Sequence, residues 1–129
     1  MNDTALEKKL RCTDLTYLIN ITKYDHKLMM EMIALYLEQT PPLISLLKKS
    51  LQDKDWESLH TAAHKMVPSF SIMGIDKDFE NKAKKVQEYK GAKEDAAEIQ
   101  ELVLQLENIC SLACKELEEE FNTLKNTIA

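Results

Sequence analysis

Glycine and proline are scarce in this chain: two glycines and three prolines among 129 residues. With so few residues able to reverse the backbone tightly, β-hairpins and glycine-rich phosphate loops have little to be built from. Neither GxxxxGK[ST] nor a glycine-rich kinase loop occurs, which removes the usual means of holding ATP. Long apolar runs are missing too. Nothing approaches the roughly 18 residues of a membrane helix, and Met1-Asn2-Asp3-Thr4 lacks the charged-then-apolar plan of a secretory leader. The expectation is a cytoplasmic protein with no membrane contact. Only three cysteines are present, Cys12, Cys110 and Cys114, and they suit reduced thiols. Cys110 and Cys114 stand one helical turn apart, a spacing for ordinary packing, since zinc sites want four ligands and closer pairs. Basic charge is also short. Lys and Arg number 17 against 22 Asp and Glu, a net charge of −5, which argues against nucleic acid as a partner.

What is present points to helices. Apolar residues make up 44% and charged residues 30% of the chain, a globular balance rich in Leu, Lys, Glu and Ala. The length suits one domain spanning residues 1–129 with a single core. Residues 1–11 form a polar lead, expected to be loosely ordered. Thr13 or Asp14 can cap a short helix whose apolar side carries Leu15, Leu18 and Ile19. After a polar break at 22–25, Asp25 can cap a helix with Met29, Met32, Ile33, Tyr36 and Leu37 at helical spacing. The period continues through Leu43, Ile44, Leu46, Leu47 and Leu51 beyond Pro41-Pro42, so a kinked continuous helix is favoured over two abutting ones. Asp53 or Asp55 starts the next helix and Gly74 closes it. Asp76 or Asp78 opens another, with Phe79, Ala83 and Val86 inward and Lys77, Lys82, Lys84 and Lys85 outward; Lys90-Gly91 ends it. The last begins near Lys93 or Glu94 and keeps its period from Ile99 to Leu124. The expected fold is all-α: an up-down four-helix bundle with one or two short N-terminal helices, monomeric because it carries its own core. A freestanding protein is favoured over a fragment.

The stretch from Leu59 to Gly74 is the most informative. At roughly 100° per residue, Trp56, Leu59, Ala63, Met66, Phe70 and Met73 share a broad apolar face. Glu57, His60, Thr61, His64, Pro68 and Ser71 share the polar one. His64 falls about 120° from the centre of the apolar face, so its imidazole is expected to be wet and reachable by another protein.

The run Ala63-His64-Lys65-Met66-Val67-Pro68-Ser69-Phe70-Ser71-Ile72-Met73-Gly74 resembles the signature of histidine-containing phosphotransfer (HPt) domains. There an Ala-His pair is followed by a Lys three residues after the His, a small residue, Ser/Ala-rich positions, and a Gly ten residues after the His. The resemblance extends over most of the chain. It implies that His64 is phosphorylated and passes the group between aspartates of response-regulator receiver domains, as a phosphorelay intermediate of two-component signalling fed by a hybrid sensor histidine kinase. It implies no cofactor of the bundle's own, because the receiver supplies Mg²⁺, and no kinase activity: the protein is a phosphocarrier. Two positions depart from the pattern. Val67 stands where the family has Lys, which removes a cation from the phosphoryl oxygens. Lys65, Lys82 or Lys85 could substitute. Pro68 replaces a small residue and cannot donate to the carbonyl of His64. Gln87 matches the family's Gln on the neighbouring helix, where its amide could orient the imidazole. Receiver docking is expected on an apolar patch of Leu15, Leu18, Met29 and Met30, with Pro68 and Ser71 beside the histidine.

Two other readings compete. An HPt-like interaction module could bind partners without phosphotransfer, as Val67 would suit. His60 and His64, at i and i+4, could chelate a metal, and Glu57-x-x-His60 imitates half of a di-iron motif. Such bundles need a second motif and more inward carboxylates, so no metal site is expected.

Overall fold

The computed structural model describes residues 11–128, and all regular structure among them is helical. Five α-helices follow one another: α1 (Thr16–Thr22), α2 (His26–Gln52), α3 (Trp56–Ile72), α4 (Lys77–Glu88) and α5 (Ala96–Ile128), with a single 3-10 turn at Lys93–Asp95 before the last. The expected looseness of residues 1–11 falls outside the described residues except at Arg11, which is held. Its guanidinium lies 2.8 Å from Glu120 and 3.6 Å from Glu116.

The helix starts follow capping chemistry. The Asp25 carboxylate accepts from the Leu28 amide, Asp55 from the Ser58 amide, and Asp76 from the Asp78 amide, each satisfying a donor that the first turn leaves orphaned. Asp14 accepts from both the amide and the hydroxyl of Thr16. Proline does not break α2: the helix runs unbroken through Pro41 and Pro42, because the apolar period on both sides keeps one face against the core. At the end of α3, Gly74 has φ +65, and a Cβ there would fall 2.0 Å from the Asp14 carbonyl oxygen. The Asp14 amide donates to the Met73 carbonyl at 3.1 Å, so the lead into α1 crosses the end of α3 where only glycine leaves room. α4 stops at Glu88, two residues before the expected Lys90-Gly91, with Tyr89 extended. Tyr89 turns inward and meets Trp56 edge to face at 5.0 Å.

α2 packs against α3 and α5, α4 against α3 and α5, and α1 against α2. The buried apolar residues of all five helices join in one cluster, in which Phe70, Leu59 and Met66 of α3 are among the most deeply enclosed. From Ile99 to Leu124 the α5 residues expected to face inward do so. Leu46 departs from the expected period and is exposed. No described helix is long and apolar enough to cross a membrane.

The expected docking patch needs correction. Leu18 is 0% exposed and Met29 5%, because α1 lies on α2 and both side chains belong to the buried apolar cluster. Leu15 and Met30 are half-buried. The apolar side chains that this corner offers to solvent are Tyr17 at 52% and Ile21 at 43%, with Tyr24 and Leu28 beside them in sequence.

Candidate functional site

α3 is a stiff platform with two unlike faces. Leu59, Ala62, Ala63, Met66 and Phe70 are buried, while Glu57, His60, Thr61, His64, Lys65, Pro68 and Ser71 are exposed. The side-chain period puts His64 where the hydrophobic pattern places it, on the wet face with alanine below. Ala62 and Ala63 let the neighbouring helices come close to the backbone at this level. Pro68 sits inside the helix; lacking an N–H, it leaves the His64 carbonyl without its i+4 donor. The turn beyond is held instead by the Ser69 hydroxyl, which donates to the Met66 carbonyl at 2.8 Å.

His64 is not alone on that face. The rings of His60 and His64 lie nearly parallel, 5° apart in plane, with centroids 5.9 Å from each other. His60 reaches across to α4, where its Nδ1 meets the carbonyl oxygen of Gln87 at 3.0 Å. A carbonyl only accepts, so that nitrogen carries the proton and donates. Gln87 therefore does come to the site, but through its backbone and to His60, rather than through its amide to His64. This contact was the feature hidden from sequence. The i, i+4 spacing of the histidines is visible there, whereas the register of α4 against α3 is not.

The lysines divide. The Lys82 ammonium lies 4.6 Å from the centroid of the Phe79 ring, one turn back on its own helix. Lys85 is paired with Glu98 of α5, and that carboxylate together with Asp95 raises the ammonium's pKa. Lys65 is exposed beside His64 and forms no ion pair among the described residues. Of the three cations considered, Lys65 alone makes no such contact; it follows His64 in sequence, about 100° around the helix. Ser71 is exposed but its hydroxyl is bonded to Glu80 of α4, and Glu80 also faces Lys84 at 3.9 Å.

The imidazole is exposed on the outer face of α3. A concavity of about 940 Å³ does open where α1 meets the ends of α3 and α5, lined by Cys12, Asp14, Leu15, His26, Met29 and Gly74 among others; His64 is not part of its wall. The thiols offer little chemistry. Burial pushes Cys12 and Cys110 up to about 12, far from the thiolate that reacts. Among the described residues no three His, Cys, Asp or Glu side chains gather around one point.

No family model matches the chain, and searches of curated proteins and of solved structures return no match.

Proposed function

We propose that this protein is a phosphocarrier of the HPt kind, an up-down four-helix bundle of α2 to α5 with α1 as an accessory, that takes a phosphoryl group on His64 from one receiver aspartate and gives it to another. The observation that carries this reading is the exposure of His64 on the outer face of α3, opposite a fully packed inner face. In-line transfer needs a nucleophile that an acidic, Mg²⁺-holding pocket on another protein can approach, and an exposed helix face allows it. The neutral imidazole attacks phosphorus through Nε2, the P–O bond to the aspartate breaks, and the carboxylate leaves. The reverse step regenerates the free imidazole. Positioning and charge neutralisation supply most of the catalysis in such transfers. The receiver brings the metal, so the bundle needs no cofactor. Its partners on this reading are receiver domains and a hybrid sensor histidine kinase in the cytoplasm, met by a monomer.

The second reading, an interaction module without phosphotransfer, draws on the lysines. Val67 supplies no cation, Lys82 lies over Phe79, and Lys85 is held by Glu98. One experiment separates the two. The protein is incubated with a receiver bearing an aspartyl phosphate, and the products are probed for an acid-labile, base-stable label. The carrier reading expects label on the wild type and on His60→Gln, and none on His64→Gln. Binding without label from any receiver would establish the interaction module instead.

A further inference from the structure

We infer that His60 and His64 form a two-nitrogen site for a divalent transition-metal ion, copper(II) before nickel(II) and zinc(II), and that the bound ion blocks phosphorylation of His64. Three observations carry the site. Both rings are exposed, one turn apart on one helix, with their planes aligned and their centroids 5.9 Å apart. His60 is anchored by donating from Nδ1 to the Gln87 carbonyl at 3.0 Å. In the neutral ring this leaves the Nε2 lone pair unused. A backbone carbonyl behind a histidine is how metal-ligating imidazoles are commonly oriented and made more basic. His64, by contrast, makes no hydrogen bond among the described residues, so its ring can turn about χ2 to bring a nitrogen toward the one that His60 offers. No third protein ligand joins them, so water completes the coordination. Two imidazoles with oxygen from water suit tetragonal copper(II) or nickel(II), and the order of affinities for such a donor set peaks at copper.

Coordination uses the same lone pair that attacks phosphorus, so one site excludes the other. The chelate itself stands independently of the phosphocarrier reading; the competition rests on it.

The test titrates the full chain with Cu²⁺, Ni²⁺ and Zn²⁺ in a non-coordinating buffer by calorimetry, with electron paramagnetic resonance on the copper form. The expected result is one equivalent bound, tightest for copper, with hyperfine structure from two imidazole nitrogens. His60→Gln and His64→Gln each weaken it at least tenfold, and His26→Gln leaves it unchanged. Circular dichroism confirms that the variants stay helical. Copper bound equally by wild type and His60→Gln would overturn the site. For the competition, small-molecule phosphoramidate labels His64 with and without saturating Zn²⁺. Labelling of the wild type should slow at least tenfold with metal while that of His60→Gln changes little; equal slowing in both would refute the competition. Absence of label without metal would refute the competition, while calorimetry still decides the site and transfer from a receiver decides the carrier reading.

Discussion

On the phosphocarrier reading, position 67 bears on how well a phosphoryl group would be held. A side chain three residues after His64 returns to nearly the same side of the helix, one turn on, and Val67 there is half-buried and uncharged. Lysine could keep its stem against the apolar neighbours and lift its ammonium to the phosphoryl oxygens. On an exposed face such a contact contributes about 1 kcal/mol at most. Val67→Lys should therefore lengthen the life of the phosphorylated protein by a factor of up to about five, followed as loss of label after the donor is removed. An unchanged lifetime would mean that another cation already fills that role. His60 belongs to the same scale. Its spacing from His64 is plain in the sequence, yet its bond to Gln87 is made by a main-chain carbonyl, and no side-chain pattern announces which carbonyl of a neighbouring helix will lie within reach.

Among the elements, α3 owes its placement to its two ends. Gly74 lets the chain lie under Asp14 at one end, and Asp55 caps the other through the amide and hydroxyl of Ser58 at 3.1 and 2.8 Å. Those two donors hold the Asp55 carboxyl below its ordinary value of 3.8, so the unfolded chain takes up the proton at higher pH than the folded one. The stabilisation is then complete above that ordinary value and is lost as pH falls through the folded value. Asn caps nearly as well as Asp but does not ionise. Asp55→Asn should lower the melting temperature slightly at pH 7, and the gap to the wild type should close as pH falls below 3.8, read by circular dichroism. A gap that stayed the same in acid would show that the carboxylate contributes nothing as a charge. Caps of this kind were legible from Asp followed by an apolar period, and Asp25, Asp55 and Asp76 all serve. The stop of α4 was not. A glycine at 91 marks a left-handed residue, but the helix had already ended at Glu88, where Tyr89 leaves the helical path and its ring turns in against Trp56.

At the scale of the whole molecule, the N-terminal lead binds distant parts together. The Glu116 carboxylate of α5 accepts from the amides of Cys12 and Thr13 and from the Thr13 hydroxyl, at 2.8, 3.0 and 2.7 Å. Burial works against its charge, yet these bonds hold its pKa below the usual range. A clamp between residues more than 100 positions apart leaves no periodic trace in the sequence. The same lead delivers α1 to its seat on α2, and there periodicity misleads. Leu15, Leu18 and Ile19 form one apolar side whether that side meets a partner or the core, and the pattern is silent on which. The structure seats Leu18 inside and leaves Tyr17 and Ile21 outside.

Two substitutions a few residues apart on α1 therefore have opposite signatures. Leu18→Ala empties a fully enclosed position and should cost about 2 to 5 kcal/mol of stability, seen in denaturant unfolding. On the phosphocarrier reading, at temperatures where the fold persists, it should leave receiver affinity little changed. Ile21→Lys alters a side chain that water already reaches, so stability should move by less than about 0.5 kcal/mol. If the receiver docks on this corner, the substitution places a charge within an apolar contact. The loss should then be at least about 1 kcal/mol, a fivefold or greater weakening of receiver binding by calorimetry. Transfer at saturating receiver would fall less, since His64 itself is untouched. Receiver binding that survived Ile21→Lys and the parallel Tyr17→Lys would move the docking surface off α1 and onto the exposed faces of α3 and α4, where Pro68 and the lysines stand.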